Sequence, residues 1–208
     1  MKITVFGATG QVGIEIVKQG LWRKHHVTAF GRNVFDLKLE DPNLHLFKGA
    51  LFDETEVLQA VTGADAVLSA IGGAFDGSDK ARSLGIKNII TQMKKAGVKR
   101  IIALGGMGIL NADDTTLLID TASYPSEFIP VGNEHRKAYE YLQDSNLDWT
   151  FVCSPNILNS GPTGNYIISR DYPPHPNKYQ INAGDLAQFM LNEAENNEFI
   201  KARVGISN

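Results

Sequence analysis

The chain has 208 residues, 43% of them hydrophobic, which is enough for one α/β domain to bury a sizeable core. A formal net charge of −3 and the lack of a basic tract exclude a general nucleic-acid binder. No apolar run approaches the roughly 20 residues that cross a bilayer. The single cysteine, Cys153, excludes an intrachain disulfide and suits the cytoplasm.

Met1 to Phe6 reads as a short buried strand, a start that leaves no room for a signal peptide. Gly7-Ala8-Thr9-Gly10-Gln11-Val12-Gly13 follows at once, with three glycines spaced three apart, and opens an amphipathic helix from Val12 to about Trp22. Strand, glycine turn and helix together form a pyrophosphate cradle. Gly7 permits the turn, Gly10 lets backbone approach a ligand, and Gly13 allows close packing of helix on strand. The helix N-terminus then faces the anion with free N–H groups.

His26 to Phe30 is a second strand, with His25 and His26 expected at the surface. Gly31-Arg32-Asn33 follow it. About 25 residues separate Gly7 from Arg32, which sets Arg32 beside the adenosine ribose. An acidic residue there would read the 2′-hydroxyl, whereas an arginine pairs with a 2′-phosphate, so NADP(H) is preferred over NAD(H). A solvated loop arginine is the alternative.

Leu44 to Phe47 is a third strand, and Asp53 with Glu56 forms a capping box for a helix to about Val61. Ala66 to Ile71 is a continuously apolar strand, as inside a parallel sheet. Gly72 and Gly73 follow at its carboxyl end, where open α/β sheets bind ligands. Ser78 is the expected cap of a long helix to Ala96, with Leu84, Ile86, Ile89, Ile90 and Met93 inward and Gly97 beyond its end.

Arg100 to Leu104 is the fifth strand and ends in Gly105-Gly106. Residues 109–132 read as a long irregular stretch, either a functional lid or a surface insertion. Asn133 to Gln143 is helical, and Trp149 to Cys153 is strand six, leading into Ser154-Pro155-Asn156. Residues 159–181 are rich in Gly, Pro and Asn, and the chain around residues 155–182 reads as a small substrate-side region with a flap or small hairpin near Tyr166 to Ser169. Asn182, with Asp185 three residues on, caps a last helix to Glu195, and Ala202 to Ile206 forms an edge strand. Alternating strands and helices give a single domain over 1–208, a doubly wound parallel sheet in three α/β/α layers.

The glycine motif, Arg32, Ala64-Asp65-Ala66-Val67, and His135 followed by Leu142 and Ser145 resemble an atypical short-chain dehydrogenase/reductase of the Rossmann, NmrA-like kind. Pro162-Thr163-Gly164-Asn165-Tyr166 and Asp185-Leu186-Ala187-Gln188-Phe189-Met190-Leu191 are similar to the biliverdin reductase B/flavin reductase branch. The resemblance implies a monomer, or at most a weak dimer, that passes hydride from NADPH to a flavin, quinone or tetrapyrrole. The expected cofactor contacts are Gly7, Thr9, Gly10, Gln11, Val12, Gly13, Arg32, Asn33, Leu51, Ala70, Ile71, Gly72, Gly73, Leu104, Gly105, Gly106, Ser154, Pro155 and Asn156. Three departures stand out. The family's adenine-reading Asp falls at Ala50, leaving backbone near Leu51. Its serine after strand five falls at Gly106, and its histidine after strand six at Asn156.

No tyrosine has a lysine four residues on, which disfavours alcohol–ketone chemistry, since that needs a proton donor at the carbonyl oxygen. Hydride transfer to a flavin or quinone needs mainly orientation. The candidate catalytic side chains are His135, otherwise a structural histidine bonding backbone at a helix start, and Asn156, otherwise a turn residue. Cys153 reads as core packing, and no residue spacing suggests a metal site. The alternative function is a non-catalytic NADP(H)-sensing regulator, NmrA-like; a nucleotide-sugar epimerase is a weaker third reading.

Overall fold

The computed structural model describes all residues, 1–208. Seven strands run parallel: β1 (Lys2–Phe6), β2 (His26–Gly31), β3 (Leu44–Lys48), β4 (Ala66–Ser69), β5 (Arg100–Gly106), β6 (Asp148–Ser154) and, late in the chain, β10 (Ala202–Ser207). A short strand β7 (Asn156–Leu158) pairs in parallel with β9 (Gln180–Asn182), and β8 (Ile167–Arg170) joins the main sheet antiparallel to β10. The main sheet has the order β3-β2-β1-β4-β5-β6-β10-β8. Strand order therefore reverses between β1 and β4, the switch point of a doubly wound sheet.

Alternation along the strands sends side chains to two cores. Ile3, Val5, Ile102, Val152 and Val204 meet α1 (Gln11–Trp22) and α5 (Ala183–Asn196) on one face. Phe6, Val67, Ile101 and Phe151 meet α2 (Glu54–Val61), α3 (Ala81–Ala96) and α4 (Ile129–Gln143) on the other. Buried on both faces, the central strands are continuous apolar runs, as parallel strands require. No helix is long and apolar enough to cross a membrane.

Several sequence expectations are corrected. The last strand is interior, because β8 adds outside it. Strand β4 ends at Ser69, two residues early. Helix α3 starts at Ala81 after Lys80, a left-handed residue, so Ser78 is not its cap. Leu84 is 43% exposed; it shares the outward face with Lys87 and Thr91, at helical spacing, rather than the inward stripe. Helix α4 begins at Ile129, with Pro130 in its first turn where a missing N–H costs nothing. The preceding stretch is not featureless, since it holds short 3-10 turns at 107–109, 118–120 and 126–128.

His25 is not a surface residue either. It is 8% exposed, its Nε2 lies 2.7 Å from Glu195, and its Nδ1 lies 3.3 Å from the N-terminal amine. The Asp53 carboxylate accepts from Glu56 N as expected, but Glu56 reaches back to Ala50 N instead of completing the box. The region at 166–169 is no hairpin of its own, since β8 pairs only with β10.

At the amino end of the sheet a buried ion pair joins two elements. Arg100, on β5, donates to the Glu193 carboxylate and carbonyl of α5 and to Thr150 on β6. Thr150 donates to the same carboxylate at 3.0 Å, and the Phe199 N–H donates at 2.9 Å. A charge pair so enclosed survives because the carboxylate's lone pairs are filled, although Arg100 Nε is buried without a partner.

Candidate functional site

The carboxyl ends of β1, β4, β5 and β6 converge on one edge of the sheet, and each leaves through small or turn-forming residues. Gly7 has φ +76, a backbone state glycine adopts readily. A Cβ there would lie 2.4 Å from the Ala70 carbonyl oxygen, and one on Gly13 would lie 2.0 Å from the Gly7 oxygen. Turn, β4 terminus and helix are thus in backbone contact that side chains would forbid. Gly10 precedes α1 and supplies no side-chain cap, so the first-turn N–H groups of Gln11, Val12 and Gly13 have no acceptor within the helix. Those donors, the positive end of α1 and the absence of Cβ atoms form a cradle that fits a pyrophosphate.

Around this cradle the structure distributes the residues singled out in the sequence. Thr9 and Gly10 are exposed, and Gln11 donates weakly, at 3.4 Å, to the Ile157 carbonyl of β7. Arg32 and Asn33 are exposed just past β2, which pairs directly with β1. The Leu51 carbonyl is taken by Asn88 Nδ2 at 2.9 Å, which leaves its N–H as the backbone group at that position. Ala70 and Ile71 are buried beneath the turn, whereas Gly72 and Gly73 are exposed. Leu104 is partly exposed and Gly105 buried, its missing Cβ replaced by the Phe151 ring. Ser154 is buried, and its hydroxyl is turned away to the Gly105 carbonyl at 3.2 Å. Pro155 is partly exposed, and Asn156 is exposed at the start of β7, its N–H donated to Tyr179.

His135 lies in the middle of α4, not at a helix start, so it does not serve as a backbone-bonding end residue. Its ring packs on the end of β5: a Cβ at Gly106 would lie 2.8 Å from Cδ2 and 3.3 Å from Nε2. The ring therefore fills the space that a side chain at Gly106 would need. Nδ1 is buried without a partner. Burial, and secondly the Arg82 charge, push the imidazole pKa down to about 3. The ring is neutral under physiological conditions, and the lower-cost tautomer carries its proton on Nε2, leaving only a lone pair unsatisfied at Nδ1.

Arg82 escaped the sequence reading. It stands in the first turn of α3, and its Nη1 donates to the Ala74 carbonyl at 3.0 Å and would crowd a Cβ at Gly73 to 3.0 Å. The signal was its spacing: with Ile86 and Ile89 it falls on the inward stripe of the helix. Below it Glu134 is buried, accepting from Ser83 Oγ at 2.6 Å and pairing with Lys80 at 3.2 Å. Burial alone would raise that carboxyl, but Ser83 and Lys80 outweigh it and hold it below the usual range. Cys153 is buried, and burial pushes its thiol well up, which leaves it unreactive.

The substrate-side loop is pinned by Asp185. This buried carboxylate accepts from the N–H groups of Thr163 and Gly164 at 2.6 and 2.8 Å, and from the side chains of Thr163, Asn182 and Asn208. Asp185 is thus a loop anchor rather than half of a capping box, and the Thr163-Gly164 and Asp185 motifs belong to one contact.

A doubly wound sheet with a glycine cradle at its first turn and switch point defines a Rossmann-type dinucleotide-binding fold. The chain belongs to the NAD(P)H-binding family, whose model matches residues 7–197. The uncharacterized protein YwnB of Bacillus subtilis is 30% identical over 176 residues, 82% of this chain and 80% of its own. A proposed NADH-flavin reductase of Streptococcus pneumoniae is 31% identical, with a TM-score of 0.86 over 100% of this chain and 99% of its own. A Burkholderia pseudomallei structure described as an exported protein is 30% identical, with a TM-score of 0.86 over 100% of both chains.

Proposed function

We propose that the protein is an NADPH-dependent reductase that delivers hydride to a flavin or a similar planar acceptor. The glycine cradle would hold the cofactor's pyrophosphate and Arg32 with Asn33 its 2′-phosphate, and the bound cofactor would supply the hydride. Backbone at Leu51 faces the adenine, and Ala70, Ile71, Gly72, Gly73, Leu104, Gly105, Gly106, Ser154, Pro155 and Asn156 line the path to the nicotinamide. The observation that carries the reading is the floor of the site at β5. Gly106 and the neutral His135 ring stand there, with no tyrosine–lysine pair to protonate a carbonyl oxygen. A flat acceptor whose reduced form delocalises its charge needs orientation and exclusion of water more than a strong acid. The Streptococcus pneumoniae relative supports the flavin class. The lone cysteine and composition favour the cytoplasm, although the Burkholderia relative is described as exported.

The test is steady-state oxidation of NADPH with FMN, riboflavin, quinones and biliverdin. Turnover well above the enzyme-free rate with at least one is expected, and background rates with all of them would reject the reading.

One observation favours a second reading, an NADP(H)-sensing protein that acts through a partner. Phe75 and Phe128 stack edge to face with centroids 5.6 Å apart yet are 55% and 41% exposed, beside the exposed Ile129. A relative in Synechocystis, 24% identical, is a photosystem II assembly factor. Pull-downs with and without NADP(H) that recover no cofactor-dependent partner would count against it.

A further inference from the structure

The site described above contains a cation that hydride transfer itself does not require. Arg82 stands against Gly73 after β4, and His135 stands against Gly106 at the end of β5. Strands β4 and β5 are hydrogen-bonded neighbours, so the two side chains flank the same short stretch of the sheet's carboxyl edge. The Arg82 charge is near enough to His135 to help keep the imidazole unprotonated.

The donors of both groups remain free. Arg82 uses Nη1 on Ala74, while Nε and Nη2 have no protein acceptor. Asp79 and Glu134 lie close enough to attract its charge, but neither accepts a hydrogen bond from it. Asp79 accepts from the N–H groups of Ala74 and Ala81, and Glu134 from Ser83 and Lys80. His135 has its Nδ1 sealed in protein, while Nε2, on the ring edge against Gly106 at the carboxyl end of β5, makes no hydrogen bond to protein.

We infer that Arg82 and His135 form a two-donor subsite for the electron-rich edge of the reduced acceptor. The inference rests on the reductase reading. An oxidised flavin that takes up hydride, two electrons and one proton, becomes an anion, while NADPH becomes NADP⁺. The charge collects on the ring edge remote from the nitrogen that receives the hydride. A fixed guanidinium and a neutral N–H aimed at that edge stabilise the product and the charge developing toward it more than the neutral oxidised ligand. Neutrality of His135 matters, since a second cation next to Arg82 would be repelled.

The test uses riboflavin, which has no phosphate to attract Arg82 by itself. Dissociation constants of oxidised and photoreduced riboflavin are measured in mildly alkaline, oxygen-free buffer, for the NADP⁺-loaded protein. The wild type is expected to favour the reduced form by about tenfold or more, the weight of one charge-assisted hydrogen bond. Arg82→Met should bring the ratio close to one, and Arg82→Lys, which keeps the charge, should restore part of it. His135→Phe, which keeps a ring against Gly106 and removes the donor, should lower the ratio by about two- to tenfold. Loss of loop order would weaken both forms alike and leave the ratio unchanged, so a structural role for Arg82 does not mimic the result. A ratio that is the same in wild type and Arg82→Met overturns the subsite while the reductase reading stands. No binding of either form by the wild type, together with no turnover of any acceptor, takes down the reductase reading and the subsite with it.

Discussion

His135 and Arg32 sit at opposite ends of the proposed site and make opposite demands on charge. The unfolded chain protonates His135 near its ordinary value of 6.5, but the folded chain holds it neutral down to about 3. Between those values the unfolded state binds more protons, so stability falls as pH drops through that window and is fully present above it. His135→Gln should flatten the acid side of the stability curve, as read by urea midpoints against pH; an unchanged acid slope would show that the ring is not held neutral. Arg32 is exposed, so its replacement should leave folding nearly unchanged and tests the proposed ligand contact alone. Arg32→Ala should weaken NADPH binding by about ten- to hundredfold and NADH binding little, measured by quenching or calorimetry. Equal losses would remove the phosphate-reading role. The place of Arg32 just past β2 was legible because the βαβ spacing sets it. The contact between Gly106 and His135 was not, since nothing local in the chain announces a ring packed across 29 positions of sequence.

At the scale of elements, the sequence was most legible where a rule is local. The strand–glycine–helix opening and the apolar parallel strands follow from short patterns, and they appear within a residue or two of the expected bounds. The start of α4 was missed because Ile129-Pro130 reads as a break, although proline is welcome in a first turn. Asp185 looked like a cap partner and proved to be an anchor, because the chain that occupies it arrives from 21 and 22 residues upstream. The pair of Arg100 and Glu193 is a further case, since each reads alone as a surface charge. Glu193→Ala should cost about 3–5 kcal/mol of unfolding free energy, because it leaves a buried guanidinium without its carboxylate. Chemical denaturation checks this, and a loss below about 1 kcal/mol would mean that water reaches Arg100 freely.

For the whole molecule, the class of fold was readable and the placement of its last pieces was not. Alternating strands and helices imply the doubly wound sheet, but nothing in Ala202–Ser207 says that another strand will lie outside it. Ala202, Val204 and Ile206 mark one apolar face, and the alternating Arg203, Gly205 and Ser207 read as an exposed one, yet every residue of β10 is buried. The same long-range pairing gives the sheet an order of assembly. Strand β8 has β10 as its only neighbour, and β10 pairs with β6 through residues about 50 positions earlier. The half of the sheet holding β1, β2 and β3 uses near neighbours in sequence and can close early, whereas the outer β6–β10–β8 part waits for chain ends far apart to meet. Pulsed hydrogen exchange during refolding should therefore show β8 gaining protection together with β10, after the β1–β2–β3 half. Protection of β8 ahead of β10 would contradict it. On a ribosome the β1–β2–β3 half of the fold would stand while the β6–β10–β8 half was still open, a window in which chaperones would guard its apolar strands.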